Sequence, residues 1–323
     1  MEELRSACLG ILPTMLRPAI YAGDAIARRW LARNASPYRD EVAAIAAEAA
    51  APGVFLVNSA YEWACTAATA PRPREPPRLV RTLDWPFAGL GRGVLVARQA
   101  GPAGEFWNVT WPGAVGVLTA LAPGRFAATI NQAPLRRRTR GELLRGYDYA
   151  ANALHTYFRV RETPPAHVLR QVFEQAAGYA EAQRMLAEIP LARPVLFALI
   201  GAHPGEACVI ERGPRSACIH DDGVLVANDW QTPQAGWEPR SCGGPFATDS
   251  RDRRAALAKA VQEAGAPFAW LRPPVHNWAT RIAVELSAGV PMLRVRGYEP
   301  VGGLAPSVQA TETLELTHGR LAA

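Results

Sequence analysis

The sequence predicts an α+β domain led by a small helical segment. Alanine- and leucine-rich helical patterns fill the first 52 residues, two blocks of short strand-like runs follow, and a helical block separates those two. The leading patterns cover residues 14–33 and 38–51, and Ser36-Pro37 offers a cap and first-turn signal for the second. Val54 to Val57 is a short apolar run, the cluster Pro71 to Pro77 reads as a turn or loop, and Leu79 to Leu83 as a returning strand. Gly93–Arg98, Glu105–Trp111, Gly116–Leu121 and Arg125–Asn131 are strand-like, with Pro-Gly and Pro-Ala-Gly turns between them. Helical patterns follow at about 140–158, 165–178 and 180–188. Strands resume at Val195–Gly201, Cys208–Arg212 and Gly223–Ala227. A helix near 251–264 precedes the runs Ala279–Leu286, Met292–Gly297 and Glu312–Leu316. No internal repeat or low-complexity linker interrupts the order.

Composition narrows the function classes. Hydrophobic residues make up 49% of the 323 and charged ones 20%, a globular balance rather than a disordered one. The net charge of +6 suggests an anionic partner, but the basic residues are arginines scattered along the chain, with Lys259 the single lysine. Only Arg136, Arg137, Arg138 and Arg140 cluster, and no basic-aromatic motif accompanies them, so nucleic acid is not an expected partner. A solvated loop is the simpler account of that cluster, with an anion or membrane-surface patch as its rival. Five cysteines (Cys8, Cys65, Cys208, Cys218 and Cys242) at unpatterned spacings suggest neither a disulfide framework nor a zinc site. Six scattered histidines, His203 and His276 among them, give no metal-ligand spacing, so no metal or cofactor is expected. Glu2, Glu3 and Pro13 break any signal-peptide pattern, and no apolar run is long enough to span a bilayer. Cytoplasmic residence is the resulting expectation. The apolar N-terminal helix is explained equally by packing and by weak contact with a membrane surface.

One constellation carries chemistry. Cys65 stands where a strand would open, and Arg81 and Asp84 follow sixteen and nineteen residues later. A hairpin turning through the proline cluster would bring thiol, guanidinium and carboxylate together. An arginine beside a thiol favours the thiolate, the nucleophilic form, which lowers the pKa from its usual value of about 8.5. An α-amine, with a pKa of about 7.7–8.0, can act as general base near neutrality. Singly each residue is weak: an isolated cysteine in an apolar stretch is ordinarily buried structure, and an Arg and an Asp three apart are ordinarily an exposed pair.

The surrounding motifs are more specific. Val57-Asn58-Ser59-Ala60-Tyr61-Glu62 precedes Cys65-Thr66, and Arg81-Thr82-Leu83-Asp84-Trp85 follows it. Then come the run from Gly113 to Phe126, Thr129-Ile130-Asn131-Gln132, Leu225-Val226-Ala227-Asn228-Asp229-Trp230, Asp252-Arg253-Arg254 and Pro273-Pro274-Val275-His276-Asn277. In order and spacing, from about residue 53 to 285, this series resembles acid ceramidase, the N-acylethanolamine-hydrolysing acid amidase and, more distantly, the choloylglycine hydrolases. The resemblance implies an N-terminal-nucleophile hydrolase, a four-layer αββα sandwich preceded by a short helical segment. It further implies that the chain cuts itself between Ala64 and Cys65, leaving residues 1–64 as a helical pro-segment or α-subunit and 65–323 as the catalytic domain.

By the same carry-over Cys65 is the nucleophile, its liberated amine the base, and Asp84 the group that orients the amine. Arg81 stabilises the thiolate and the bound carbonyl, Asn228 donates to the oxyanion, Asn131 sits beside that hole, and Arg253 supports the site, with Arg251 and Arg254 as neighbours in register. Where relatives often carry Asn-Glu-Arg this chain has Asn131-Gln132-Ala133, and Ala120 stands where a glycine is usual. The expected substrate is a small linear N-acyl amide, cleaved through a Cys65 thioester. Acyl transfer to an amine is the close rival, and a non-catalytic ligand-binding protein that kept the fold is the other. Trp107 is expected in the core and Trp85 at a pocket rim.

Overall fold

A computed structural model of the chain describes residues 17–59, 64–70, 74–139, 144–232, 237–238, 250–263, 265–317 and 320–322. Cys8, Arg140, Cys242 and the Tyr61-Glu62-Trp63 stretch lie outside these residues. The helices are α1 (Arg17–Leu31), α2 (Arg39–Ala49), the single turn α3 (Val54–Val57), α4 (Arg145–Arg159), α5 (Pro165–Gln175), α6 (Tyr179–Glu188) and α7 (Ser250–Ala260). The first nine strands are β1 (Ala64–Thr69), β2 (Arg78–Asp84), β3 (Leu95–Gly101), β4 (Gly104–Thr110), β5 (Thr119–Ala122), β6 (Phe126–Gln132), β7 (Leu135–Arg136), β8 (Val195–Gly201) and β9 (Ala207–Arg212). The rest are β10 (Ala217–His220), β11 (Leu225–Val226), β12 (Trp237–Glu238), β13 (Thr280–Ser287), β14 (Met292–Glu299), β15 (Val308–Gln309), β16 (Leu314–Thr317) and β17 (Arg320–Ala322).

Two antiparallel sheets face each other. One has the order β11-β1-β2-β13-β14-β16-β17, with β15 beside β14; the other runs β10-β9-β8-β6-β5-β4-β3. Helices α5 and α6 lie on the outer face of the second sheet, and α7 on the outer face of the first. The predicted αββα sandwich is therefore present. The two-residue side-chain period sorts the central strands between layers. Cys65, Ala67, Leu79 and Leu83 join the core that reaches the second sheet, whereas Ala68, Val80 and Ala283 pack with Leu257 of α7. Covered on both sides, β1 and β2 read as near-continuous buried runs rather than alternating ones.

Several boundaries differ from the sequence expectation. Strand β5 starts at Thr119, not Gly116, because Gly116 sits against α5: a Cβ there would lie 2.6 Å from the Cβ of Ala166. Helix α2 starts at Arg39; the Ser36 hydroxyl instead accepts from Tyr38 N–H and pairs with His167 Nδ1 at 2.7 Å. The run Val54–Val57 is a helical turn, and β10 was not anticipated, its Ala-Cys-Ile-His being too short for a periodic signal.

The N-terminal helices dock through a satellite core of Ala27, Trp30, Leu31, Tyr38, Val42, Val54 and Phe55 with Val115 and Ala192. Trp30 also donates to the Val160 carbonyl (3.0 Å), and Tyr38 to Glu174 (2.6 Å). Packing thus accounts for much of the apolar character of α1. Among the described residues no helix is long and apolar enough to cross a membrane.

Candidate active site

The β1–β2 hairpin builds the centre of the site. Its register pairs Ala64 with Asp84, Cys65 with Leu83 and Ala67 with Arg81. Cys65 and Arg81 therefore project from the same face, two positions apart on the diagonal, and Arg81 Nη2 donates to Cys65 Sγ at 3.0 Å. The guanidinium is fully buried and held by the second sheet: it donates to the carbonyls of Ile130 (2.8 Å) and Leu118 (3.1 Å) and to the Thr119 hydroxyl. The sulfur itself is buried between the sheets.

The nitrogen of Cys65 is held as closely as its sulfur. Ala67 pairs with Val226, and continuing that antiparallel register sets Asn228 opposite Cys65. There the Cys65 N–H donates to Asn228 Oδ1 at 2.9 Å. Asn228 Oδ1 also accepts from Arg253 Nη2 (3.0 Å), while its Nδ2 donates to the Gln132 carbonyl (2.9 Å). Two donors on one side and an acceptor on the other fix which way this amide points.

Asp84, an odd number of positions from Arg81, projects toward α7 instead. Its carboxylate accepts from Thr280 Oγ1 (2.9 Å) and Asn277 Nδ2 (3.2 Å) and lies 3.7 Å from Arg253 Nη1. Arg253 is buried in the first turn of α7 and connects the two faces: it donates to the Cys65 carbonyl (2.8 Å), to the Thr66 hydroxyl and to Ser250 Oγ (3.3 Å). Arg254 points away to Asp229, at 3.2 Å, so it is Arg253 that meets Cys65. Asn131 Nδ2 donates to the Ala227 carbonyl (3.0 Å), tying the end of β6 to the segment before Asn228, and its buried Oδ1 has no hydrogen-bond partner among the described residues.

Hence the six residues singled out in the sequence converge, with two corrections. Burial pushes the Cys65 thiol above its ordinary value, and the nearby Arg81 opposes that shift without reversing it, so the expected lowering is not met in the intact chain. Burial likewise pushes Asp84 up, opposed by Arg253 and the hydrogen bonds from Thr280 and Asn277. Trp85 is not at a rim; it is buried beside Phe87, ring centroids 4.8 Å apart, while Trp107 is in the core as expected. Sequence reasoning missed the residues that hold the site together: Thr119 on Arg81, Thr280 and Asn277 on Asp84, Ser250 and Thr66 on Arg253. Asn277, Thr66 and Thr119 stood in recognised motifs without a role of their own, whereas Thr280 and Ser250 carry no local signal. His203 lies in an exposed loop, and His276 Nε2 contacts Ser307 Oγ at 3.3 Å.

Two facing antiparallel sheets between helices, with a thiol at the start of an inner strand, make this an N-terminal-nucleophile hydrolase fold. No protein-family model matches the sequence. The chain is 27% identical over 263 residues to the N-acylethanolamine-hydrolysing acid amidase of Cavia porcellus, covering 75% of this chain and 68% of that one. It is 26% identical over 228 residues to a probable acid ceramidase of Caenorhabditis elegans, covering 63% and 54%. The chain thus spans about two-thirds and about half of these relatives' lengths. Among solved structures, the Caenorhabditis elegans ortholog of the acid amidase shares the fold, with a TM-score of 0.50 at 19% identity over 71% of this chain and 94% of that one. By sequence the chain is similar to acid amidases and acid ceramidases.

Proposed function

We propose that this chain is an amide hydrolase that cuts its own Ala64–Cys65 bond and then uses Cys65 as an N-terminal nucleophile on a linear N-acyl amide. The observation that carries it is the double hold on one residue: Cys65 Sγ on Arg81 at 3.0 Å and Cys65 N–H on Asn228 at 2.9 Å. Catalysis by an N-terminal cysteine needs its nitrogen and its sulfur placed together by side chains, whereas an ordinary core cysteine needs no buried guanidinium on its sulfur and takes a backbone partner for its N–H. The similarity to an acid amidase and to acid ceramidases supports the same chemistry.

Processing begins as Cys65 Sγ attacks the Ala64 carbonyl carbon. The C–N bond breaks, the nitrogen takes the thiol proton, and a thioester with a free α-amine remains. Water then cleaves the C–S bond, leaving a carboxylate on Ala64 and a thiol on Cys65. In turnover the α-amine accepts the thiol proton, the sulfur attacks the substrate carbonyl, and that proton leaves on the departing amine. Water, activated by the same amine, hydrolyses the acyl-thioester. Arg81 stabilises the developing thiolate, and Asn228 Nδ2, which donates to Gln132 in the intact chain, serves the oxyanion. Asp84 acts through Arg253, which grips the Cys65 carbonyl.

Intact-mass measurement of purified protein, followed by amine release from N-acyl amides, tests this. Two fragments meeting at Ala64–Cys65, absent in Cys65→Ala, together with amide turnover are expected. An unprocessed chain with full activity would overturn it.

A further inference from the structure

A second feature lies beyond the end of β6. A cleft of about 590 Å³ is lined by Arg136, Arg138, Arg159, Arg193 and Arg215 against a single carboxylate, Glu162. Its volume is that of a small-molecule site. Leu135, Val160, Leu191 and Pro194 give it apolar walls. Among the described residues Arg136, Arg159 and Arg215 have no ion-pair partner, and Glu162 is engaged with the Arg161 N–H at 2.9 Å. Five arginines around one cleft, four of them exposed, give it a positive potential that favours an anion.

The loop that carries two of the arginines is built rather than slack. Arg138 N–H donates to Asp148 (2.9 Å), Thr139 Oγ1 to the same carboxylate (2.8 Å), and Asn152 Nδ2 to the Arg136 carbonyl (2.9 Å). Arg138 Nη1 also donates to Asn152 Oδ1 at 2.8 Å, and Arg193 lies over the Tyr157 ring at 5.6 Å. Helix α4 thus fixes the loop from one side.

The cleft lies just past the end of the strand that borders the nucleophile. Leu135 follows Gln132 by three residues, a span of at most about 10 Å. The Gln132 carbonyl accepts from Asn228, which holds the Cys65 nitrogen. Pro194 precedes Val195, the partner of both Gln132 and Arg212, so strand ends β6, β8 and β9 meet at the cleft. Between nucleophile and cleft, Gln132 and Ala133 place no carboxylate.

We infer that the cleft receives a carboxylate carried by the substrate, so that the amide this enzyme prefers is an N-acyl amide bearing a free acid group, not a neutral one. The inference rests on the proposed hydrolase reading. Arginine forks match a carboxylate with two parallel donors, and the apolar walls suit the carbon skeleton beside it. The acid can belong to the departing amine, as in an N-acyl amino acid, or to the far end of the acyl chain.

The test compares three substrates of matched length: N-lauroylglycine, N-lauroylethanolamine, and the ethanolamide of a dicarboxylic acid. One of the two acids should exceed the neutral amide in kcat/KM by about tenfold at low salt, and which one does identifies the end that binds. That ratio should collapse toward one in 0.5 M-class salt and in the double variant Arg136→Ala, Arg215→Ala, through KM rather than kcat. Equal use of acids and neutral amide, unchanged by salt or by the variant, overturns the inference while leaving the hydrolase reading intact. Should no amide be cleaved, that reading fails, and the cleft is read by binding of N-lauroylglycine to the Cys65→Ala protein. Binding at least about tenfold tighter than that of N-lauroylethanolamine, lost in the double arginine variant, supports the anion site; equal binding refutes it.

Discussion

Arg253 donates to the backbone carbonyl of Cys65 at 2.8 Å and lies 3.7 Å from the carboxylate of Asp84, so one buried guanidinium joins the two faces of the hairpin. Its removal strands a buried acid. Arg253→Ala is expected to cost about 3–5 kcal/mol in urea unfolding and to block processing. Arg254→Ala, which loses its pair with Asp229, should still be processed when both are followed by intact mass.

Arg81 is the sole guanidinium hydrogen-bonded to the Cys65 sulfur among the described residues. Arg81→Met should therefore lower kcat for amide hydrolysis by about 10²-fold or more, as removal of a single preorganised charged donor commonly does. A loss confined to thermal stability, with turnover retained, would show that the contact is structural.

Asn228 satisfies three buried partners at once: Cys65 N–H, Arg253 Nη2 and the Gln132 carbonyl. Asn228→Ala leaves the Cys65 N–H without its acceptor, at about 1–3 kcal/mol before local rearrangement, and takes one partner from Arg253 Nη2, which keeps Ser250, and from the Gln132 carbonyl. The chain should unfold at lower urea and remain unprocessed. Asn228→Asp restores the acceptor but not the donor, so it should recover stability better than turnover.

The raised thiol of Cys65 predicts a pH signature in the unprocessed chain. Above the unfolded value of about 8.5 the unfolded chain has lost the thiol proton while the folded one still holds it, so stability falls as pH rises. Asp84 acts in the same direction in a lower window, from about 3.9 up to its raised folded value. The urea midpoint of the unprocessed Asn228→Ala chain should fall between pH 8 and 10, less so when Cys65 is also Ala, and iodoacetamide should label Cys65 slowly below pH 8.

After cleavage the helical segment should stay attached. Asn58 Nδ2 donates to the Gly113 carbonyl (3.1 Å), Val115 N–H to Asn58 Oδ1 (2.8 Å), and Trp30 is fully buried. The fragments should co-elute in size exclusion and separate only in denaturant. Trp30→Ala, a loss of about 3–5 kcal/mol, should weaken that association.

The sequence by itself determined the hairpin and its contents. Spacing and turn chemistry are local, so Cys65, the proline-rich turn and Arg81 through Asp84 could be read before any fold was known, and the family resemblance that the motifs carry implied the sandwich. Only the tertiary structure decided the rest. Which of three neighbouring arginines meets Cys65 depends on how α7 lies on the sheet. Thr119, Ser250 and the Asn277–Thr280 pair join the site from three separate segments. Whether the thiol's pKa rises or falls depends on the depth of burial between the sheets, a balance of desolvation against one guanidinium that spacing along the chain does not encode. Arg136 and Arg138 remain exposed, as the solvated-loop reading has it, and only the tertiary structure shows that Arg159, Arg193 and Arg215 border the same cleft, because proximity between distant segments exists only in three dimensions.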